Sequence, residues 1–381
     1  MKIALLTDGI YPYVIGGMQK HSYLLAKYLA KNKIEVDLYH TNQSKFDISK
    51  LELFSVDEKK YITSIVIDFP SLGKMPGHYI RESYEYSVRV FNELRKRPPV
   101  DFVYAKGFSA WKLLDEKRKG NKTPPIGVNF HGYEMFQKPA SLRSKLEQIF
   151  LLRKPTLFNI SNADRVFSYG GKISDILLGL GIEKKRILEI PAGIESDWLS
   201  KEVSKSQGPR SFIFAGRYER RKGVEELNKA LLRLIGKHTF EFHFIGAIPE
   251  NKKIVSDQVI YHGLVTDSER LKSLLVDCDV LVCPSHSEGM PNVILEAMAS
   301  GLAVIATDVG AVSEMVSGKN GILVKDADPD RLVEAFVQAM KFSDKELVLL
   351  KKHSLELVRE KFIWDKLIAE LIQKIDQTER S

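Results

Sequence analysis

The sequence predicts an α/β protein: two Rossmann-like domains, each a parallel sheet wound with helices on both faces, looking at one another across a cleft. Three observations predict it. The chain has 381 residues, more than one ordinary core holds and comfortable for two. Short apolar runs alternate with helix-period stretches along the whole chain, the pattern of βα repetition. Between the halves, Ser200-Lys-Glu-Val-Ser-Lys-Ser-Gln-Gly-Pro-Arg210 is polar, contains Gly-Pro and has no apolar period, so it reads as a linker. The expected domains are residues 1–199 and 211–361, joined by 200–210.

Taken in order, the strand-like runs of the first half are Ile3–Thr7, Glu35–His40, Ile62–Ile67, Asp101–Ala105, Gly127–Phe130 and Arg165–Ser168. Those of the second are Phe212–Ala215, Glu241–Ile245, Val280–Cys283, Ala303–Ala306 and Gly321–Val324. The opening Met1-Lys-Ile-Ala-Leu-Leu-Thr-Asp8 meets an acid after a few apolar residues, which makes it a strand and not a signal peptide. Gly16-Gly17 then precede a helix with apolar residues at Met18, Leu24, Leu25, Tyr28 and Leu29; they lack the GxGxxG spacing, which disfavours an NAD enzyme. His131 closes a strand, and Gly132 after it lets backbone approach a ligand. In Leu142-Arg-Ser-Lys-Leu-Glu-Gln-Ile-Phe-Leu-Leu-Arg-Lys154, apolar and basic residues can share one helix with a face for each.

The second half carries the denser chemistry. In Phe212-Ile-Phe-Ala-Gly-Arg-Tyr-Glu-Arg-Arg-Lys-Gly223 a strand ends at Gly216 and hands the chain to a loop with Arg217 and Lys222. Two such cations at a strand's carboxyl end suit a diphosphate, arginine by its fork and lysine as a point charge; a basic surface loop is the plainer alternative. Asp279-Val-Leu-Val-Cys-Pro284 is a buried strand. The Gly289-Met290-Pro291 turn opens a helix that Gly301 closes, and it leaves free amides at Met290, Asn292 and Val293 where an anion can collect. Glu296 follows Asn292 by four residues, on the same helix face, where its carboxylate can accept from hydroxyls. Glu288 stands in the turn before the helix.

Composition narrows the class. With 44% hydrophobic and 28% charged residues the chain is that of a soluble globular protein, and no run of about 18 apolar residues offers a spanning helix. Cys278 and Cys283 have neither CxxC spacing nor a histidine cluster, as expected of reduced structural thiols in a cytoplasmic protein without a metal site. The net charge of +8 is uneven: residues 1–205 hold 33 Lys and Arg against 23 Asp and Glu, residues 206–381 hold 24 against 26. The basic half points either to a solvated surface or to an anionic membrane or polyanionic acceptor. Nucleic acid fits less well, since no binding motif accompanies the charge.

Together, Gly216-Arg217…Lys222-Gly223 and Glu288-Gly-Met-Pro-Asn-Val-Ile-Leu-Glu296 resemble the retaining glycosyltransferases of family 4, glycosyl transferases group 1, whose fold is GT-B and whose signature is two glutamates separated by seven residues. Gly16-Gly17 with His21, His131-Gly132-Tyr133-Glu134, Pro191-Ala-Gly-Ile-Glu195 and Gly318-Lys-Asn-Gly-Ile-Leu-Val324 extend the likeness over nearly the whole chain. Gln19 departs from it, standing where the family often has glutamate, and Gly310-Ala311 stands where the family usually has Gly-Gly. The resemblance implies that Arg217 and Lys222 bind the donor diphosphate, Glu296 the ribose and Glu288 the transferred sugar. It implies that Gly16 and Gly17 approach the donor across the cleft, with Gly216, Gly289, Met290, Asn292 and Val293 beside it, and that His131, Glu134 and His21 lie at the sugar and acceptor. It also implies that residues 362–381, from Trp364 onward, cross back onto the first domain.

The expected activity is a metal-independent, retaining transfer of a hexose from a nucleoside-diphosphate sugar, a co-substrate with no further cofactor, to a hydroxyl. The family makes a glycolipid or growing surface polysaccharide, such as lipopolysaccharide, the favoured acceptor, with a small soluble molecule as the alternative. The enzyme is expected in the cytoplasm, peripheral at the inner face of the membrane. Two rival readings stand beside it: a sugar-nucleotide epimerase, and a catalytically silent sugar-nucleotide-binding protein.

Overall fold

The computed structural model describes residues 1–14, 16–41, 53–73, 77–204 and 208–379. Strands β1 (Lys2–Leu6), β2 (Glu35–His40), β3 (Ile62–Val66), β4 (Phe102–Lys106), β5 (Ile126–Asn129), β6 (Arg165–Ser168) and β7 (Ile187–Glu189) make one sheet, ordered β3-β2-β1-β4-β5-β6-β7. Strands β8 (Arg210–Ala215), β9 (Phe240–Ile245), β10 (Val259–Tyr261), β11 (Val280–Cys283), β12 (Ala303–Thr307) and β13 (Gly321–Val324) make a second, ordered β10-β9-β8-β11-β12-β13. The pairings are parallel, for instance β1 with β4 and β8 with β9. The strand order reverses between β1 and β4 in one sheet and between β8 and β11 in the other. At such points the connections leave over opposite faces and open a crevice at the carboxyl ends.

The helices of the first sheet are α1 (Gly17–Lys31), α2 (Val56–Lys59), α3 (His78–Leu94), α4 (Trp111–Arg118), α5 (Leu142–Glu147), α6 (Arg153–Asn162) and α7 (Lys172–Gly179). Those after β8 are α8 (Val224–Leu234), α9 (Ser268–Val276), α10 (Asn292–Ala299), α11 (Pro329–Lys341), α12 (Asp344–Lys361) and α13 (Trp364–Glu379). Local chemistry sets several boundaries. Asp328 caps α11 by accepting from the Asp330 and Arg331 amides, with Pro329 at the first helical position, and Ser343 with Glu346 forms a reciprocal capping box on α12.

Strands β7 and β10 escape the sequence reading because each is three residues long at a sheet edge, too short for a period to show. The segment 142–154 is helical, but not one helix: a π-helical stretch, Gln148–Leu152, separates α5 from α6. The last helix packs on the first domain. Trp364 stacks on Tyr28 of α1 at 5.6 Å, and Ile368, Leu371 and Ile375 share a core with Leu24, Leu25 and Leu29.

Candidate functional site

The two central crevices face each other. On the second domain, the loop after β8 is pressed under the turn after β11: Gly223 has φ 69°, and a Cβ there would overlap the Pro284 carbonyl oxygen. Only glycine fits this approach. It brings Lys222 Nζ to 2.6 Å from Glu288 Oε1, while Ser285 Oγ donates to the same oxygen at 2.7 Å. Arg221 Nη1 stands 3.3 Å from Glu288 Oε2. Burial alone would raise the Glu288 carboxyl. The Lys222 and Arg221 charges and these hydrogen bonds override it and hold the group below the ordinary carboxylate value.

The Arg217 side chain is 69% exposed and pairs with Glu219 at 3.0 Å, so the cation that accompanies Lys222 at Glu288 is Arg221. Arg217, Arg220 and Arg221 lie within five residues; order along a loop does not say which turns inward. Here the short helical turn Arg220–Lys222 decides, sending Arg220 to Glu226 at 2.6 Å and Arg221 toward the cleft.

Helix α10 begins at Asn292, so Met290 lies in the turn before it and Val293 in its first turn. Across the cleft, Gly17 opens α1 within reach of Asn292: a Cβ on it would sit 3.9 Å from Asn292 Nδ2. Gly16 precedes it, and Gln19 Nε2 donates to Asp8 at 3.0 Å. Gly216 ends the β8 run, its amide bonded to the Ile245 carbonyl of β9 at 3.0 Å. Glu296 is not free; Lys20 of α1 donates to its Oε1 at 2.7 Å, an ion pair that joins the two domains.

A second joint lies at the sugar-side turn. A Cβ on Gly132 would come to 2.8 Å from the Gly289 amide nitrogen, so the His131-Gly132 and Glu288-Gly289 backbones touch. Gln137 Nε2 reaches the Glu288 carbonyl at 2.6 Å, Glu134 lies 3.5 Å from Arg221, and Lys172 pairs with Asp308 at 2.8 Å. His131 itself is turned inward: its Nδ1 meets the Tyr169 hydroxyl. His21 is buried beneath Trp364, rings 5.2 Å apart, and bonded to Lys106 at 2.9 Å. Beside the Ser285-His286 turn a cavity of about 440 Å³ is lined by Lys138, Lys172, Asp308, Lys325 and Asp326.

Sequence reasoning missed Lys20, Lys106, Gln137, Tyr169, Arg221 and Ser285. Only Arg221 carried a signal, its place inside the quoted Phe212–Gly223 motif. After the Glu134 turn, α5 has no buried residue, and Leu142, Leu146, Ile149 and Phe150 are exposed beside Arg143 and Lys145. The segment is tied to the site: Gln148 Nε2 donates to the Glu134 carbonyl at 3.0 Å and Arg153 Nε to that of Met135 at 2.9 Å. Among the described residues no helix is long and apolar enough to cross a membrane.

Comparison with known proteins places this geometry. Residues 15–198 match the profile of glycosyltransferase family 4, and residues 209–341 that of glycosyl transferases group 1. An uncharacterized glycosyltransferase of Methanocaldococcus jannaschii is 25% identical over 377 residues, 97% of this chain and 96% of that one. A glycosyltransferase assigned to teichuronic acid biosynthesis in Bacillus subtilis is 31% identical over 159 residues, so that the match spans 39% of this chain and 40% of that relative. Among solved structures, sucrose-phosphate synthase from Thermosynechococcus elongatus superposes with a TM-score of 0.79 at 19% identity, covering 99% of this chain and 98% of that one. The Anabaena protein HepE, solved with UDP-glucose, gives 0.66 at 17% identity over 98% and 99%. With two profiles that between them take in most of the sequence, and two facing switch-point crevices, the chain belongs to the family 4, group 1 glycosyltransferases, enzymes of the GT-B fold.

Proposed function

We propose that this glycosyltransferase retains anomeric configuration, takes a hexose from a nucleoside-diphosphate sugar held on the second domain, and transfers it to a hydroxyl of a saccharide or lipid-linked acceptor held against the first. The observation that carries the reading is the Lys222–Glu288 pair, 2.6 Å long, at the mouth of α10 and facing the His131-Gly132 turn. The acceptor oxygen attacks the anomeric carbon on the face from which the diphosphate leaves. The new C–O bond forms as the old one to phosphate breaks, and the hydroxyl proton passes to the departing phosphate oxygen. Lys222, Arg221, Arg217 once drawn inward, and the first-turn amides of α10 meet the growing phosphate charge. In this reading they do so without a metal ion. Glu296 accepts from the ribose and Glu288 from the sugar.

The test is a thermal-shift and calorimetric screen against UDP, GDP and ADP sugars. A donor at 100 times its Kd stabilises the protein by about 2.7 kcal/mol. Free nucleotide released without an acceptor would favour an epimerase, and binding without turnover a silent binding protein. The Bacillus subtilis relative is named for teichuronic acid biosynthesis, which supports a polymer or glycolipid acceptor here.

A lipid-carried acceptor is further supported by the exposed apolar and basic residues of 142–154. These suit an anionic bilayer at the cytoplasmic face, where each cation near the surface adds about 1 kcal/mol. Sedimentation with anionic and neutral liposomes tests it. Binding should require anionic lipid, weaken in high salt, and fall in a variant with Arg143, Lys145 and Lys154 changed to glutamine. Binding indifferent to lipid charge and salt, or none, favours the soluble acceptor.

A further inference from the structure

Lys106 is the last residue of β4, at the switch point of the first sheet. It is 1% exposed, with its nitrogen over the Tyr104 ring at 4.8 Å. Its hydrogen-bond partner is another base, His21 Nδ1 at 2.9 Å. Among the described residues no carboxylate pairs with it, and Asp8, at the end of neighbouring β1, is taken by Gln19.

The surroundings repeat the pattern. His21 lies 5.3 Å, ring to ring, from His131. Burial keeps the Tyr169 phenol protonated, and its hydroxyl meets His131 Nδ1. The Nε2 of that imidazole is buried without a partner, and so is the Trp364 indole nitrogen above His21. The side chains that meet Lys106, or the rings beside it, are thus His21 on α1, Tyr104 on β4, Asn129 and His131 at the end of β5, Tyr169 after β6 and Trp364 on α13. None of them is an acid.

Such a group of bases persists only uncharged. Burial holds the Lys106 amine and both imidazoles well below their ordinary values. A methionine would fill the space without that cost, which leaves the amine to be accounted for by something it meets. We infer that Lys106, with His21 and His131, forms the subsite for an anionic substituent, a carboxylate or a phosphate, on the saccharide acceptor. This rests on the proposed function in taking the first-domain crevice as the acceptor side.

Gly107, the next residue, is half-buried and has open space where a Cβ would lie, and the long methylene stem of lysine lets its nitrogen swing outward past the strand end. The arriving anion restores the charged form: the amine takes one proton from solvent and the resulting ammonium pairs with the anion. A neutral sugar triggers no such uptake.

The test is calorimetry on the full chain in two buffers of different ionisation enthalpy. The probes are methyl α-glucuronide for carboxylate, glucose 6-phosphate for phosphate and methyl α-glucoside as the neutral control. One anionic probe should bind at least about 10-fold tighter than the glucoside and take up a proton. Lys106→Met should abolish both effects, and Lys106→Arg should restore the preference without the proton. Which anionic probe responds identifies the substituent. No preference over the glucoside, or a preference that survives Lys106→Met, overturns the inference. Titrating the wild type with UDP, GDP and ADP tests the transferase reading separately, since failure there leaves the anion result standing.

Discussion

Glu288 is a buried carboxylate kept ionised by its neighbours, and that fixes what its removal should do. Its folded-state value lies below the ordinary 4.5. Its contribution to stability is therefore complete above about pH 4.5 and lost as pH falls through the lower folded value. Lys222→Met breaks a buried pair and should cost about 3 kcal/mol at pH 7, with the deficit shrinking toward pH 3 as Glu288 protonates. Urea unfolding at both pH values checks it. Turnover should fall on the order of 10²–10³-fold. Arg217→Ala, at an exposed side chain, should leave stability unchanged within about 0.5 kcal/mol yet still lower turnover, because the donor would draw Arg217 inward. Equal stability losses for the two variants would contradict the arrangement. Lys106 has the opposite sign. Its folded value lies below the unfolded one, so between that lowered value and about pH 10.5 the unfolded chain holds a proton that the folded one refuses. Lys106→Met should raise stability at pH 7, and by less at pH 10. Glu288 and Lys222 could be named from sequence because their motif is dense. Lys106 could not, because a lysine ending a strand looks like any solvated lysine until the strands beside it are in place.

At the scale of elements, the site is a meeting of turns. The β8 loop, the β11 turn and the β5 turn each follow the carboxyl end of a strand, and their glycines set how near they come. Gly132→Ala would push a Cβ to 2.8 Å from the Gly289 amide nitrogen and force the two turns apart. Both backbones belong to rigid strand ends, so the domains separate in preference to bending. The expected result is a melting temperature within about 2 °C of wild type, since a surface-like joint is worth under 1 kcal/mol, with a large loss of turnover. A melting temperature that collapses would mean the turn is needed for folding. Strand positions were readable from apolar runs; β7 and β10 were not, since three residues contain no period. The 142–154 segment was readable as amphipathic, yet its π-helical turn was not. That turn follows from Gln148 and Arg153 reaching carbonyls of the Glu134–Phe136 turn, contacts that exist only after folding.

For the whole molecule, two of the ties that cross the cleft end on the signature glutamates. Lys20 holds Glu296, and Gln137 with the His131-Gly132 turn holds the Glu288 backbone. The carboxylate that would accept the ribose is thereby oriented by a lysine of the opposite domain, which couples nucleotide recognition to closure. Lys20→Met should weaken binding of the nucleoside diphosphate by roughly 10-fold, about 1.4 kcal/mol, and shift the solution ensemble toward a larger radius of gyration by small-angle scattering. Lys20→Arg should restore both. Unchanged scattering with weakened binding would confine Lys20 to the ligand. Glu296→Ala should chiefly weaken the bare nucleotide, and Glu288→Gln should impair transfer more than nucleotide binding; equal losses in calorimetry would sink that division of roles.

The sequence by itself determined the two parallel sheets, the switch-point loops and the glutamate motif, because each depends on residues close together in the chain: apolar period, breaker and cap. Tertiary structure alone decided which of three neighbouring arginines turns to Glu288, that Lys20 claims Glu296, and that His21 is roofed by a tryptophan from the far end of the chain. Each of those depends on residues that sequence separates and packing joins, so the burial and charge that give them a role arise only when the two sheets and the last helix close around them.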